Sequence, residues 1–115
     1  MARFLTPAED RLIARFLDLL VQRLPDGALR GVTLFGSRSR GESDEDSDVD
    51  VAVELAPGAA TLAARRIVSD AAHDAMADSD GFALGLSPVV VPAGQGGALD
   101  AALARDGERL WQRAA

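Results

Sequence analysis

Two short runs in this chain combine residue types suited to holding phosphate and a divalent cation. The first is Leu34-Phe35-Gly36-Ser37-Arg38-Ser39-Arg40-Gly41, and the second is Ser47-Asp48-Val49-Asp50-Val51. A Gly-Ser pair at the end of a strand, opening a helical turn, offers backbone N–H groups and a hydroxyl to an anion. Glycine lets the backbone approach closely there, because no Cβ intervenes. Asp48 and Asp50 are two apart on a strand, so both carboxylates leave one face, about 6.5–7 Å apart at the Cα. Such a pair can share Mg2+, a hard cation that takes carboxylate oxygens together with substrate phosphates. Ten residues separate Ser37 from Asp48, which puts phosphate cradle and metal clamp on successive strands. Asp44, Asp46, Asp48 and Asp50 also alternate like the start of a calcium loop. That reading fails, because Val49 or Val51 stands where the loop needs glycine, and Leu55 or Pro57 where it needs its closing Glu.

The elements that must position these residues follow from spacing. Thr6-Pro7-Ala8-Glu9 reads as a helix start, with a Thr cap, Pro at the first helical position and Glu three residues after the cap. Leu12, Ile13, Phe16, Leu17, Leu20, Val21 and Leu24 recur at helical spacing, and Pro25-Asp26-Gly27 stops the helix. A strand is expected over 29–35 and a turn at 36–41. A second strand follows over 48–55, where Val49, Val51, Val53 and Leu55 face one way and Asp48, Asp50, Ala52 and Glu54 the other. After Pro57-Gly58 a helix is expected over 60–77, with Leu62, Ile67 or Val68, Ala71, Ala72, Ala75 and Met76 inward. A third strand around 83–91, a helix over 98–105 and a short tail carrying Leu110 and Trp111 complete the chain. The order predicts a single α/β (α+β) domain over 1–115, a small mixed sheet packed with helices.

Composition narrows the classes of function. The chain has 115 residues, 18 acids and 12 bases, for a formal charge of −6. Glu42, Asp44, Glu45, Asp46, Asp48 and Asp50 crowd into nine residues, and outside them acids and arginines balance at 12 each. Every basic residue is arginine, and cysteine and tyrosine are absent. Thiol catalysis, disulfides and cysteine-ligated zinc are excluded. No Lys/Arg stripe supports broad nucleic-acid binding. No apolar run approaches the ~18–20 residues that cross a bilayer, and the N-terminus lacks the pattern of a signal peptide. A cytoplasmic location is expected.

Gly36-Ser37, ten residues, then Asp48-x-Asp50 resembles the signature of polymerase-beta-like nucleotidyltransferases. The fuller Gly36–Gly41 and Ser47–Asp50 pattern is similar to that of the antitoxin-type minimal nucleotidyltransferases. The resemblance implies the nucleotidyltransferase fold and Mg2+-dependent transfer of a nucleoside monophosphate, AMP from ATP in many members, to a hydroxyl. It implies that Gly36 and Ser37 hold the triphosphate and that Asp48 and Asp50 hold two Mg2+ ions. Arg38 and Arg40 either neutralise phosphate charge or pair with the acidic loop 42–46. Some members act as antitoxins that modify a helical HEPN-type partner protein. The alternative is a catalytically degenerate module that neutralises or regulates a partner by complex formation.

One departure favours that alternative. The family usually supplies a third carboxylate from a later strand, yet Leu84 to Val91 contains no acid, and Ser87 stands near the expected position. Glu54 shares a face with Asp50 but lies about 13 Å along the strand, too far to join it. Asp78 and Asp80 precede the third strand and are the remaining acids within reach. His73 reads as a surface residue of its helix.

Overall fold

A computed structural model of the chain describes residues 7–35, 49–78, 85–92 and 107–112. These form α1 (Pro7–Arg23), β1 (Leu29–Phe35), β2 (Val49–Leu55), α2 (Leu62–Asp78), β3 (Leu86–Pro92) and β4 (Glu108–Gln112). The turn expected at 36–41, the acidic segment 42–48 and the helix expected at 98–105 lie outside the described residues.

Helix α1 buries Leu12, Ile13, Phe16, Leu19 and Leu20. Leu19 replaces the expected Val21 on the inner side, and Val21 is 55% exposed. At 3.6 residues per turn, nine residues carry Val21 about 180° round from Leu12, so an i+4 chain of apolar residues drifts off the buried stripe. The helix ends with the Leu24 N–H donating to the Leu20 carbonyl at 3.0 Å, and the Ala28 N–H donates to the Pro25 carbonyl at 3.0 Å. Gly27, at φ 81°, takes the left-handed conformation this tight turn into β1 requires.

Helix α2 is capped by Thr61, whose Oγ1 accepts the Ala64 N–H at 3.1 Å. Its inner face is Ala64, Val68, Ala71, Ala72 and Ala75, short side chains that let the helix lie close to its neighbours. Leu62, expected inward, is 67% exposed, because it opens the helix before the buried face begins. The two helices are clasped on the outside by Arg15–Asp78 at 2.9 Å and Arg23–Asp74 at 2.8 Å.

The sheet has strand order β3-β2-β1-β4. β1 pairs antiparallel with β2 and β4, whereas β2 and β3 are parallel, joined through α2 as a parallel crossover demands. The mixed α+β architecture is therefore as expected, with one strand more. β4 occupies residues read from sequence as a tail. Its five residues lack clean alternation, and its pairing with β1 is irregular between Val32 and Thr33. Val32, Leu34, Val49, Val51, Val53 and Leu55 meet the helices in one core. A smaller cluster of Ala52 and Val91, with Phe35 against it, lies on the opposite sheet face.

Phe16 is fully buried at the centre of this core, and Phe16→Ala is expected to lower stability by about 3–5 kcal/mol in urea unfolding. The Arg23 guanidinium, chiefly through its hydrogen bond, holds the Asp74 carboxyl below the ordinary aspartate range. A carboxyl depressed in the folded state stabilises above its unfolded pKa, and that contribution is lost as pH falls through the lowered value. NMR titration of Asp74 should give a midpoint below the ordinary one, rising toward it in Arg23→Gln.

Candidate functional site

Alternation along β2 decides which side chains can meet a ligand. With Val49, Val51, Val53 and Leu55 turned to the helices, Asp50, Ala52 and Glu54 take the opposite face. Asp50 is half-buried at the start of the strand. Its register partner on β1 is Phe35 and on β3 is Ser87. β1 therefore ends beside Asp50, and Phe35 and Val49, the described residues that flank 36–48, both lie at this end of the sheet. Of the residues expected from sequence to hold nucleotide or metal, Asp50 alone is described; Gly36, Ser37, Arg38, Arg40 and Asp48 lie outside the described residues.

The position beside Asp50 on β3 is filled by Ser87, half-buried. Neighbouring strands stand about 4.7–4.9 Å apart, so a hydroxyl occupies the place from which a third acid would reach the first. Leu86–Pro92 contains no carboxylate at all. Of the other acids considered from sequence, Asp80 lies outside the described residues, and Asp78 and Glu54 are held elsewhere. Asp78 is ion-paired to Arg15 on the helical side of the molecule. Glu54 accepts a 2.6 Å hydrogen bond from Arg109 Nη1. His73 is exposed and stands 3.7 Å from Asp74, consistent with a surface role. Among the described residues no group of three His, Asp or Glu side chains is placed to hold a metal ion. Among the described residues one carboxylate stands beside one hydroxyl, and a site for two divalent cations asks for several charged oxygens; Asp48, the other acid expected to hold metal, lies outside the described residues.

Arg109 and Gly31 are the site-face residues that sequence reasoning missed. Arg109 projects from β4 across β1 to Glu54 on β2, and it passes directly over Gly31. A Cβ at Gly31 would collide with Arg109 Nη1 and lie 2.9 Å from Glu54 Oε2. The glycine is thus a notch that admits the guanidinium. Its signal was a glycine inside an apolar strand, which marks a close approach. Thr33, also on this face, is 3% exposed, and its Oγ1 has no hydrogen-bond partner among the described residues.

With this geometry in place, comparison with known proteins assigns the chain to a class. A family model for the nucleotidyltransferase domain matches residues 13–80, and the chain belongs to that family. No curated protein matches it. Its fold is similar to the crystal structure of a Sulfolobus solfataricus protein provisionally described as a nucleotidyltransferase. The two share 21% identity with a TM-score of 0.59, over 94% of this chain and 89% of that one. Among the described residues no helix is long and apolar enough to cross a membrane.

Gly31→Ala is expected to displace Arg109 from Glu54 and lower stability by about 1–3 kcal/mol through overpacking. In an Arg109→Ala background the same change should be nearly neutral. A double-mutant cycle by urea denaturation measures this coupling.

Proposed function

We propose that this protein is a nucleotidyltransferase-fold binding module that regulates a partner protein by forming a complex with it, with nucleotide transfer lost or vestigial. The observation that carries the reading is Ser87 beside Asp50. Where charge must be neutralised around a triphosphate and its metal ions, a neutral hydroxyl cannot replace a carboxylate, because it contributes no negative charge to hold the cation. Glu54, the other acid on that sheet face among the described residues, is already matched by Arg109. The partner suggested by the family resemblance is a helical, HEPN-type protein, and the regulation would be neutralisation of its activity.

A second reading is favoured by Gly36-Ser37 and Asp48-x-Asp50. Under it the protein is a Mg2+-dependent transferase moving AMP from ATP to a hydroxyl of the partner. Gly36, Ser37, Arg38 and Arg40 would face the triphosphate, and Asp48 and Asp50 would hold the metal.

The two readings separate when the protein is incubated with labelled ATP, Mg2+ and the product of the neighbouring gene. A module that acts by complex formation leaves the partner unlabelled yet inhibited, and Asp48→Asn and Asp50→Asn leave inhibition unchanged. Label on the partner, lost in both variants, would replace this reading with the transferase. Ser87→Asp supplies the missing charge and is expected to give a larger rise in melting temperature with MgATP than the unaltered chain gives. An unchanged or smaller rise in that variant would mean that position 87 does not face the metal.

A further inference from the structure

Sulfur is scarce in this chain. It has no cysteine, and its two methionines are Met1 and Met76. Met76 lies in the last turn of α2, half-buried against the core. Its Sδ accepts the Leu86 N–H at 3.3 Å. A thioether is a weak acceptor, yet this one ties the end of α2 to the first residue of β3.

The tie is made where the strand has few others to offer. The Gly85 carbonyl accepts the Val49 N–H at 2.9 Å, so the peptide between Gly85 and Leu86 turns its carbonyl toward β2 and its N–H away. That peptide is held on both sides, by β2 through the oxygen and by Met76 through the nitrogen. Further along β3 the outward amide positions fall at 88, 90 and 92. Pro88 and Pro92 have no N–H, so Leu86 and Val90 supply the outward donors of the strand. The residue after Leu86 is Ser87, the register partner of Asp50. A disturbance of the sulfur contact therefore reaches the Asp50 end of the sheet within one residue.

Thioethers undergo two-electron oxidation, and this chain has no thiol to compete for the oxidant. A sulfur lone pair attacks one oxygen of a hydroperoxide, and the S–O bond forms as the O–O bond breaks. The other oxygen leaves with the proton as water or an alcohol, so the sulfur is oxidised to the sulfoxide and the peroxide is reduced. An N–H···O bond needs about 2.7–3.2 Å between nitrogen and oxygen. With an oxygen added on the sulfur, Met76 must withdraw from its 3.3 Å contact with Leu86, and a polar group now meets the apolar core. We infer that Met76 is a peroxide-sensitive modification site whose oxidation releases the Leu86 amide and loosens β3 beside Asp50. Sulfoxide reductases reverse the step, which makes it a switch. The inference goes beyond the function proposed above and depends on neither of its readings.

The test uses the full chain, 15N-labelled and treated with hydrogen peroxide. Mass spectrometry is expected to find an added oxygen on the peptide that holds Met76. In the oxidised chain the Leu86 amide should exchange with solvent roughly three- to tenfold faster, the effect of one lost hydrogen bond. The amide signals of Ser87 and Asp50 should shift, and the melting temperature should fall by several degrees. Methionine sulfoxide reductase should return all of these to their starting values. Met76→Leu keeps an apolar side chain of similar volume; melting curves should show it folded, with Leu86 exchange already fast and unmoved by peroxide. Met76→Gln, which carries a polar oxygen at similar reach, should reproduce the oxidised chain without peroxide. Oxidation confined to Met1, or a Leu86 amide that exchanges no faster once Met76 is oxidised, overturns the proposal. So does an equal response to peroxide in Met76→Leu, which would trace the effect to Met1, or a failure of the reductase to restore the starting state.

Discussion

Val49, Val51, Val53 and Leu55 are each at most 1% exposed, and their packing against the helices holds β2 in a single register. The rest of the molecule is arranged around that strand. A slip of one residue would turn Asp50 and Glu54 into the apolar core and the valines out of it. Burying carboxylates without partners is penalised by several kcal/mol per ion, so the alternative registers are excluded on both faces at once. Asp50 therefore stands at the strand's beginning, beside Phe35 and Ser87.

The two edges of the sheet are treated differently. The Val49 N–H donates to the Gly85 carbonyl at 2.9 Å, so the groups of Gly85 point toward β2. By alternation, Pro88 and Pro92 fall at positions directed outward from β3. Proline has no N–H to offer, and its use on an edge strand discourages pairing with another chain. On the far side, β4 is tied to β2 by the Arg109–Glu54 bond across Gly31. That bond is part exposed and modest in energy, but it commits Glu54, on the same face as Asp50, to a structural partner.

Much of this was legible in the amino-acid order. Alternation in 49–55 predicted the strand and its acidic face, because burial on one side of a pleated strand writes itself as period two. The stop at Pro25-Asp26-Gly27 and the break at Pro57-Gly58 before the second helix were equally readable, since each rests on local chemistry. β4 was not legible: five residues with neighbouring Leu110 and Trp111 show no clean period, and the strand exists through its pairing with β1. Val21 and Leu62 were assigned inward because apolar character was treated as burial, yet surface positions also carry apolar residues.

The sequence by itself determined the class of fold, the Gly36-Ser37 and Asp48-x-Asp50 signature and the lack of an acid in the third strand. These are matters of residue type and spacing along one chain. Tertiary structure alone decided that Ser87 is the residue opposite Asp50, that Glu54 belongs to Arg109, and that Gly31 makes room for the contact. It also decided that alanines from three chain segments line one cleft. Such facts depend on which strands become neighbours and in which register. Hydrophobic burial over the whole core sets those relations, and no local pattern encodes them.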